Sequence, residues 1–391
     1  MEKSSILRAG YVSNARRIVV KVGTNVLTGP AQSLDESRVD TLSEQIACLT
    51  DQGREIALVS SGAIGAGMAE LALPDRPRTL PELQATASVG QGRLVSRYEL
   101  SLHKHGIHAG QILLTRDDFD SRSRYLNASN TIHALFDADC LPVINENDTI
   151  STDEIRFGDN DLLAAFVTHM IRAELLVLLT SVPGLCAPEP YPNAVRSVHD
   201  NLSGDHGNVL DVVETVDEDI QKLALDETSP GGTGGMQTKL EAARIATEAG
   251  EAALIADGRT DNILLDLMNG KRLGTLFLPA DERLASRKRW IRFSRRPKGD
   301  IFVDEGARAA LEERGKSLLP SGITTVKGDF SSGDVVRIKG PDGEEFARGL
   351  TNYTAEEVDS IKGLKTSRIE PTLGHKYYDE VVHRDNLALL S

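Results

Sequence analysis

Short apolar runs, each ending in a cluster of small and polar residues, recur between residues 17 and 279, and no other feature constrains the fold as much. Ile18-Val19-Val20-Lys21-Val22 runs into Gly23-Thr24, Ile56-Ala57-Leu58-Val59 into Ser60-Ser61-Gly62, Leu141-Pro142-Val143-Ile144 into Asn145-Glu146-Asn147-Asp148, and Leu175 to Leu179 into Thr180-Ser181. Helical periodicity fills the intervals: Val39, Leu42, Ile46 and Leu49 recur at turn spacing before Gly53, and helices are expected near 81–104, 126–138, 162–171 and 236–249. Strands alternating with helices predict a three-layer αβα sandwich on a mostly parallel sheet. The Leu175–Leu179 run is apolar at every position, as in a strand covered on both faces. Open sheets of this kind bind ligands at the carboxyl ends of their strands, where the polar clusters lie.

The pattern breaks twice. Residues 186–230 carry prolines, acids and few apolar residues, and read as a long excursion or lid outside the core. Residues 283–298 contain eight bases, no acid and the single tryptophan, Trp290. Beyond them, short β-rich segments at 299–303, 324–328, 334–339 and 346–350 suggest a small barrel of roughly 80 residues. The expected organisation is an α/β domain at 14–282, a basic linker at 283–296, a β-rich domain at 297–375 and a tail at 376–391.

Charge follows this division. The chain carries a net −14. Residues 1–282 hold 24 bases and 41 acids, a net of −17, whereas residues 283–391 hold 20 bases and 17 acids, a net of +3. This balance argues against a general nucleic-acid binder. The basic stretch leaves open RNA binding or packing against the acidic domain, and a single aromatic among the bases favours packing. No apolar run reaches the ~18 residues of a membrane helix, and the first residues lack a signal-peptide pattern. Three scattered cysteines, Cys48, Cys140 and Cys186, fit a reducing compartment, so a cytoplasmic protein without membrane attachment is expected. His103, His105 and His108 match no metal motif, and no protein metal site is expected.

The segment Gly231-Gly232-Thr233-Gly234-Gly235-Met236-Gln237-Thr238-Lys239 carries the most chemistry. Glycines let backbone N–H groups converge on phosphate oxygens, the following helix adds its positive end, and Lys239 adds a full charge. A plain flexible loop is the competing reading. Lys21 lies within an apolar strand and is either an edge lysine reaching water or a phosphate ligand at the strand end. Together Lys21 and Lys239 could spread the charge of a transferring phosphoryl group. Asn145-Glu146-Asn147-Asp148 and Gly158-Asp159-Asn160-Asp161 are either polar turns or two halves of one site. Ser60-Ser61-Gly62 offers N–H groups to an anion, or else simply small residues for tight packing.

In this order these motifs resemble the glutamate 5-kinase family of the amino-acid kinase superfamily. Beyond the kinase segment, Arg287-Lys288-Arg289-Trp290-Ile291, Val303-Asp304-Glu305-Gly306-Ala307 and Ser317-Leu318-Leu319-Pro320 resemble a PUA domain. The resemblance implies ATP-dependent phosphorylation of the L-glutamate γ-carboxylate, the first step of proline synthesis, with Mg²⁺ as cofactor. It casts Lys21, Lys239 and Asp161 as catalytic, and Ser61, Gly62, Asn145, Asp148 and Asn160 as glutamate-binding. It assigns the nucleotide to Lys21, Thr180, Ser181, Thr233, Gly234, Gly235, Met236, Gln237, Thr238 and Lys239. Where the family often has Thr-Asp, this chain has Thr180-Ser181. Further implications are proline as feedback inhibitor, a homo-oligomer (dimer or tetramer) and coupling to glutamyl phosphate reductase. Other amino-acid kinases, acting on aspartate or acetylglutamate, are the nearest alternatives. A carboxylate nucleophile has a pKa near ~4.3 and is already ionised at pH 7, so such a reaction needs no general base.

Overall fold

The apolar runs become the parallel strands of one sheet in the computed structural model, which describes residues 2–29, 34–151, 160–187, 194–196, 209–224, 235–280 and 297–390. In chain order its strands are β1 Arg17–Val22, β2 Glu55–Ser60, β3 His108–Leu114, β4 Cys140–Glu146, β5 Leu175–Thr180, β6 Ala194–Arg196, β7 Leu210–Val213, β8 Ala252–Asp257 and β9 Thr275–Phe277. Their spatial order is β3-β4-β2-β1-β5-β8-β9-β7-β6. The first six run parallel; β9 turns antiparallel to β8, and β7 runs parallel to β9. All of this falls in a unit that spans Met1–Arg283, and a second unit spans Leu284–Ser391.

Strand periodicity assigns each face its task. Ile18, Val20 and Val22 join Val39, Leu42, Ile46, Leu94 and Leu102 in one apolar cluster, which lies under the helices Glu36–Asp51 and Leu80–His103. Val19 and Lys21 therefore point to the opposite face, where the helix Asn160–Ile171 packs. That helix is buried from Asp161 to Ile171, which accounts for its nearly unbroken apolar sequence. The helices Ala63–Glu70 and Leu80–His103 meet backbone to backbone. A Cβ on Gly90 would lie 1.8 Å from the Ala63 carbonyl oxygen, and one on Gly67 would lie 1.9 Å from that of Thr86.

Two readings of the sequence change. The excursion at 186–230 contributes to the core, because Leu210–Val213 is wholly buried within the sheet. Its one charge, Asp211, is answered by Arg8, whose Nε and Nη2 donate to Oδ1 at 3.0 and 2.7 Å, and by Arg272 at 2.7 Å from Oδ2. Arg8 belongs to an N-terminal helix, Glu2–Arg8, and also caps the carbonyls of Leu273 and Gly274. The chain end read as a tail forms a strand. The second unit is a five-stranded sheet of β10 Gly299–Val303, β11 Ile323–Gly328, β12 Val335–Lys339, β13 Glu345–Thr351 and β14 Val382–Leu389, in the order β11-β10-β12-β13-β14. Val382 and Leu387 of β14 sit in its core beside Ile301, Val336 and Ile338. The basic stretch 283–296 and Trp290 lie outside the described residues.

Candidate active site

Lys21, near the carboxyl end of β1, places its Nζ 2.5 Å from Oδ1 of Asp161. Lys239, in the first turn of the helix Met236–Glu248, places its Nζ 3.0 Å from Oδ2 of the same carboxylate. Three elements far apart in sequence thus converge on one carboxylate, and all three side chains are buried: Asp161 is 0%, Lys21 3% and Lys239 6% exposed. Burial on its own would raise the pKa of Asp161. The charges and hydrogen bonds of the two lysines outweigh it and hold the carboxyl down at about 2. Asp161 also opens a helix, whose N-terminal partial charge favours the anion. Thr238 closes the arrangement, its Oγ1 lying 3.3 Å from Asp161 Oδ2 and 2.9 Å from the Gly235 carbonyl. One carboxylate between two ammoniums leaves the triad with a net positive charge near the strand ends, which favours an anion there.

A second network lies beside it. Asn160 Nδ2 donates to Ser61 Oγ at 3.0 Å and to Asn145 Oδ1 at 2.8 Å. The backbone N–H of Glu146 donates to the same Oδ1 at 2.9 Å, and Asn145 Nδ2 donates to Gln91 Oε1 at 2.7 Å. Gly62 precedes the helix Ala63–Glu70 with φ of 102°, a left-handed turn suited to glycine. Ser61, Gly62, Asn145 and Asn160 therefore gather next to Asp161. Asp148 lies in the turn after β4, where Ser151 Oγ also contacts Glu146 Oε1 at 3.1 Å. Thr180 ends β5 and is nearly buried, and the Ser181 carbonyl accepts from Arg259 Nη2 at 2.7 Å. Gly235, Met236, Gln237 and Thr238 form the cap and first turn that present Lys239. Gly158, Asp159, Thr233 and Gly234 lie outside the described residues.

The sequence reading did not single out a polar stripe on the helix Leu80–His103. Gln84 Nε2 donates to the Ser151 carbonyl at 2.9 Å, Gln91 engages Asn145, and the Tyr98 hydroxyl lies 3.0 Å from Ser60 Oγ. Burial pushes the pKa of Tyr98 up to about 12, so it stays a neutral hydrogen-bonding prop. The stripe has a sequence signal: polar residues at intervals of seven, sharing a face with buried Ala87 and Leu94.

Among the histidines, His103 and His108 come together with Glu99, and His108 Nδ1 lies 2.9 Å from Glu99 Oε1. The other oxygen of Glu99 accepts the Ala109 N–H at 2.6 Å, so hydrogen bonds at the start of β3 already account for this carboxylate. His105 is not among these three.

A nine-stranded, mostly parallel sheet with a two-lysine cradle at its strand ends defines the class: the chain matches the amino acid kinase family over residues 16–257 and a PUA domain over residues 299–373. A glutamate 5-kinase of Geobacter sp. (strain M21) is 46% identical over 98% of this chain and 100% of its own length. One from Caldanaerobacter subterraneus subsp. tengcongensis is 47% identical over 96% of this chain and 98% of its own. Among solved structures, carbamate kinase from Giardia lamblia bound to AMP-PNP is 19% identical, with a TM-score of 0.46, over 68% of this chain and 100% of that one. The chain belongs to the glutamate 5-kinases of the amino acid kinase family.

Proposed function

We infer that the protein transfers the γ-phosphoryl group of ATP to the γ-carboxylate of L-glutamate, giving L-glutamyl 5-phosphate and ADP. The observation that carries this reading is the buried Lys21–Asp161–Lys239 triad at the strand ends. A glutamate carboxylate oxygen attacks the γ-phosphorus, the bond to the β,γ-bridging oxygen breaks, and that oxygen leaves with ADP. The nucleophile is ionised at pH 7, so Asp161 serves as the strut that fixes both ammoniums and not as a base. Lys21 and Lys239 neutralise the oxygens of the group in flight. The Ser61, Gly62, Asn145 and Asn160 cluster, together with Asp148 from the turn after β4, receives glutamate. Thr180, Ser181 and the 233–239 segment receive the nucleotide.

Mg²⁺ fits as an ion carried by the triphosphate, because each oxygen of Asp161 is already taken by a lysine. When bound it adds further positive charge to the phosphate oxygens. Proline shares an α-carboxylate and an adjacent cationic nitrogen with glutamate, which supports competition for the same pocket. The product is a labile acyl phosphate, which supports a reductase as next enzyme. Within the described residues no helix is long and apolar enough to cross a membrane. ATP and glutamate as substrates support a cytoplasmic site. Assembly as a dimer or tetramer belongs to the same proposal and is tested by light scattering.

The test is ADP release with Mg-ATP and glutamate, aspartate or acetylglutamate, alongside trapping of the acyl phosphate by hydroxylamine. Glutamate-dependent turnover with hydroxamate formation is expected. No turnover with glutamate would remove the reading.

A further inference from the structure

Gln91 is 8% exposed, and its Nε2 finds no hydrogen-bond partner among the described residues. The network itself settles which end of the amide is left over, because one member is a backbone N–H that can only donate. Glu146 N–H donates to Asn145 Oδ1, which also receives Asn160 Nδ2, so the other end of Asn145 is its NH₂. That NH₂ donates to Gln91, so the atom accepting it is Gln91 Oε1 and the free end is Nε2. A buried amide donor left unpaired is costly, and native interiors rarely keep one without a purpose.

Its position indicates what it serves. Gly90 brings this turn of the helix against the backbone at Ala63, just past the Ser60-Ser61-Gly62 turn. Gln91 Oε1 is tied to Asn145 at the end of β4, and Asn145 is tied through Asn160 to Ser61. The free NH₂ thus belongs to the same network as the residues assigned to the amino acid. A neutral donor there matches an anionic acceptor without adding charge to the lysine cradle.

We propose that Gln91 is a substrate-binding residue whose Nε2 donates to a carboxylate oxygen of the amino acid held by Ser61, Asn145 and Asn160. The proposal rests on the reading of this cluster as an amino-acid pocket. It also makes Gln91 a discriminator, since only a ligand with an acceptor at this point fills the vacant bond.

Gln91→Glu is the most direct test. It keeps an oxygen to accept from Asn145 and replaces the donor by a second oxygen that repels a carboxylate. At pH 8 the glutamate KM should rise roughly tenfold to a hundredfold. The ATP KM should stay within about twofold, and the melting temperature of the ligand-free protein should be preserved. Lowering the pH should return the glutamate KM of this variant toward wild type, because a buried glutamic acid regains a donor on protonation. A merely structural residue would not give that recovery. Gln91→Leu removes both the donor and the acceptor used by Asn145, and should show a KM loss of at least this size at every pH; if Gln91→Glu does not fold, a Gln91→Leu glutamate KM within twofold of wild type overturns the proposal. A glutamate KM within twofold of wild type in a folded variant overturns the proposal. Absence of glutamate turnover in the wild-type protein overturns instead the amino-acid reading beneath it.

Discussion

Each unit of this chain holds an aspartate between two cations, and the two differ in how the chain brings them together. In the second unit Asp300 of β10 meets Arg337 and Lys339 of the neighbouring strand β12; the register sets Asp300 opposite Arg337, and Lys339 Nζ lies 3.0 Å away. Strand pairing alone delivers these contacts. The group is partly exposed, and its carboxyl is held below the ordinary range against burial by hydrogen bonds from both cations. In the first unit Asp161 draws its lysines from a central strand and a separate helix, with 0% exposure. Nothing in the sheet register requires it. Isolating three charges in an interior is expensive relative to apolar packing. The buried Arg8–Asp211–Arg272 trio ties an N-terminal helix to β7, the Asp161 cage stands beside the polar residues at the strand ends, and the cross-strand trio on a partly wet face stitches two strands.

Substitutions should pull the two aspartates apart. Asp161→Asn releases both lysines and should lower kcat by roughly a thousandfold or more, measured as ADP release, while Asp300→Asn should leave kcat within about twofold. Equal losses in the two would erase the distinction. Next, Lys239→Ala should reduce kcat by roughly a hundredfold to a thousandfold with a smaller change in the glutamate KM; a kcat near wild type would remove Lys239 from its role. In Gly90→Ala the new Cβ would collide with the Ala63 carbonyl, so the helix pair must separate, and a loss of about 1–3 kcal/mol is expected in denaturant titration.

Acid provides a finer probe. Because Asp161 titrates at about 2 when folded and 3.8 ordinarily, its ionised form favours the folded state above the ordinary value. That contribution, on the order of 2 kcal/mol, is fully present above about pH 5 and fades as pH falls toward 2. Asp161→Asn should flatten this part of the stability–pH curve. The smallest effect belongs to Asp300→Asn, at about 1 kcal/mol or less of stability, diminished further by salt.

What could be read in advance followed from how locally each feature is encoded. β1, β2, β4 and β5 were legible because burial on both faces leaves a continuous apolar run. β7 was not, because Asp211 interrupts it and the partner that makes the charge tolerable sits at residue 8. β14 was read as a tail because its core contacts depend on pairing with β13. At the site, Lys21 stood out as a charge inside an apolar strand, whereas Gln91 did not, since a polar residue in a helix ordinarily faces water. Its importance arises only from the packing of Gly90 on Ala63 and from the bond to Asn145, both long-range contacts.

The bond between Arg8 and Asp211 also has a bearing on how the chain is made. A ribosome delivers the first helix some 203 positions before the strand that receives its guanidinium. Until β7 has been made, Arg8 has no Asp211 carboxylate to pair with and keeps its hydration. The contacts that tie this helix to β7 and to the Leu273 and Gly274 carbonyls therefore join segments made far apart in time, and contacts of such separation are slow to form. Fusions that hold the N-terminus away from the body should burden the completion of folding before they disturb the chemistry.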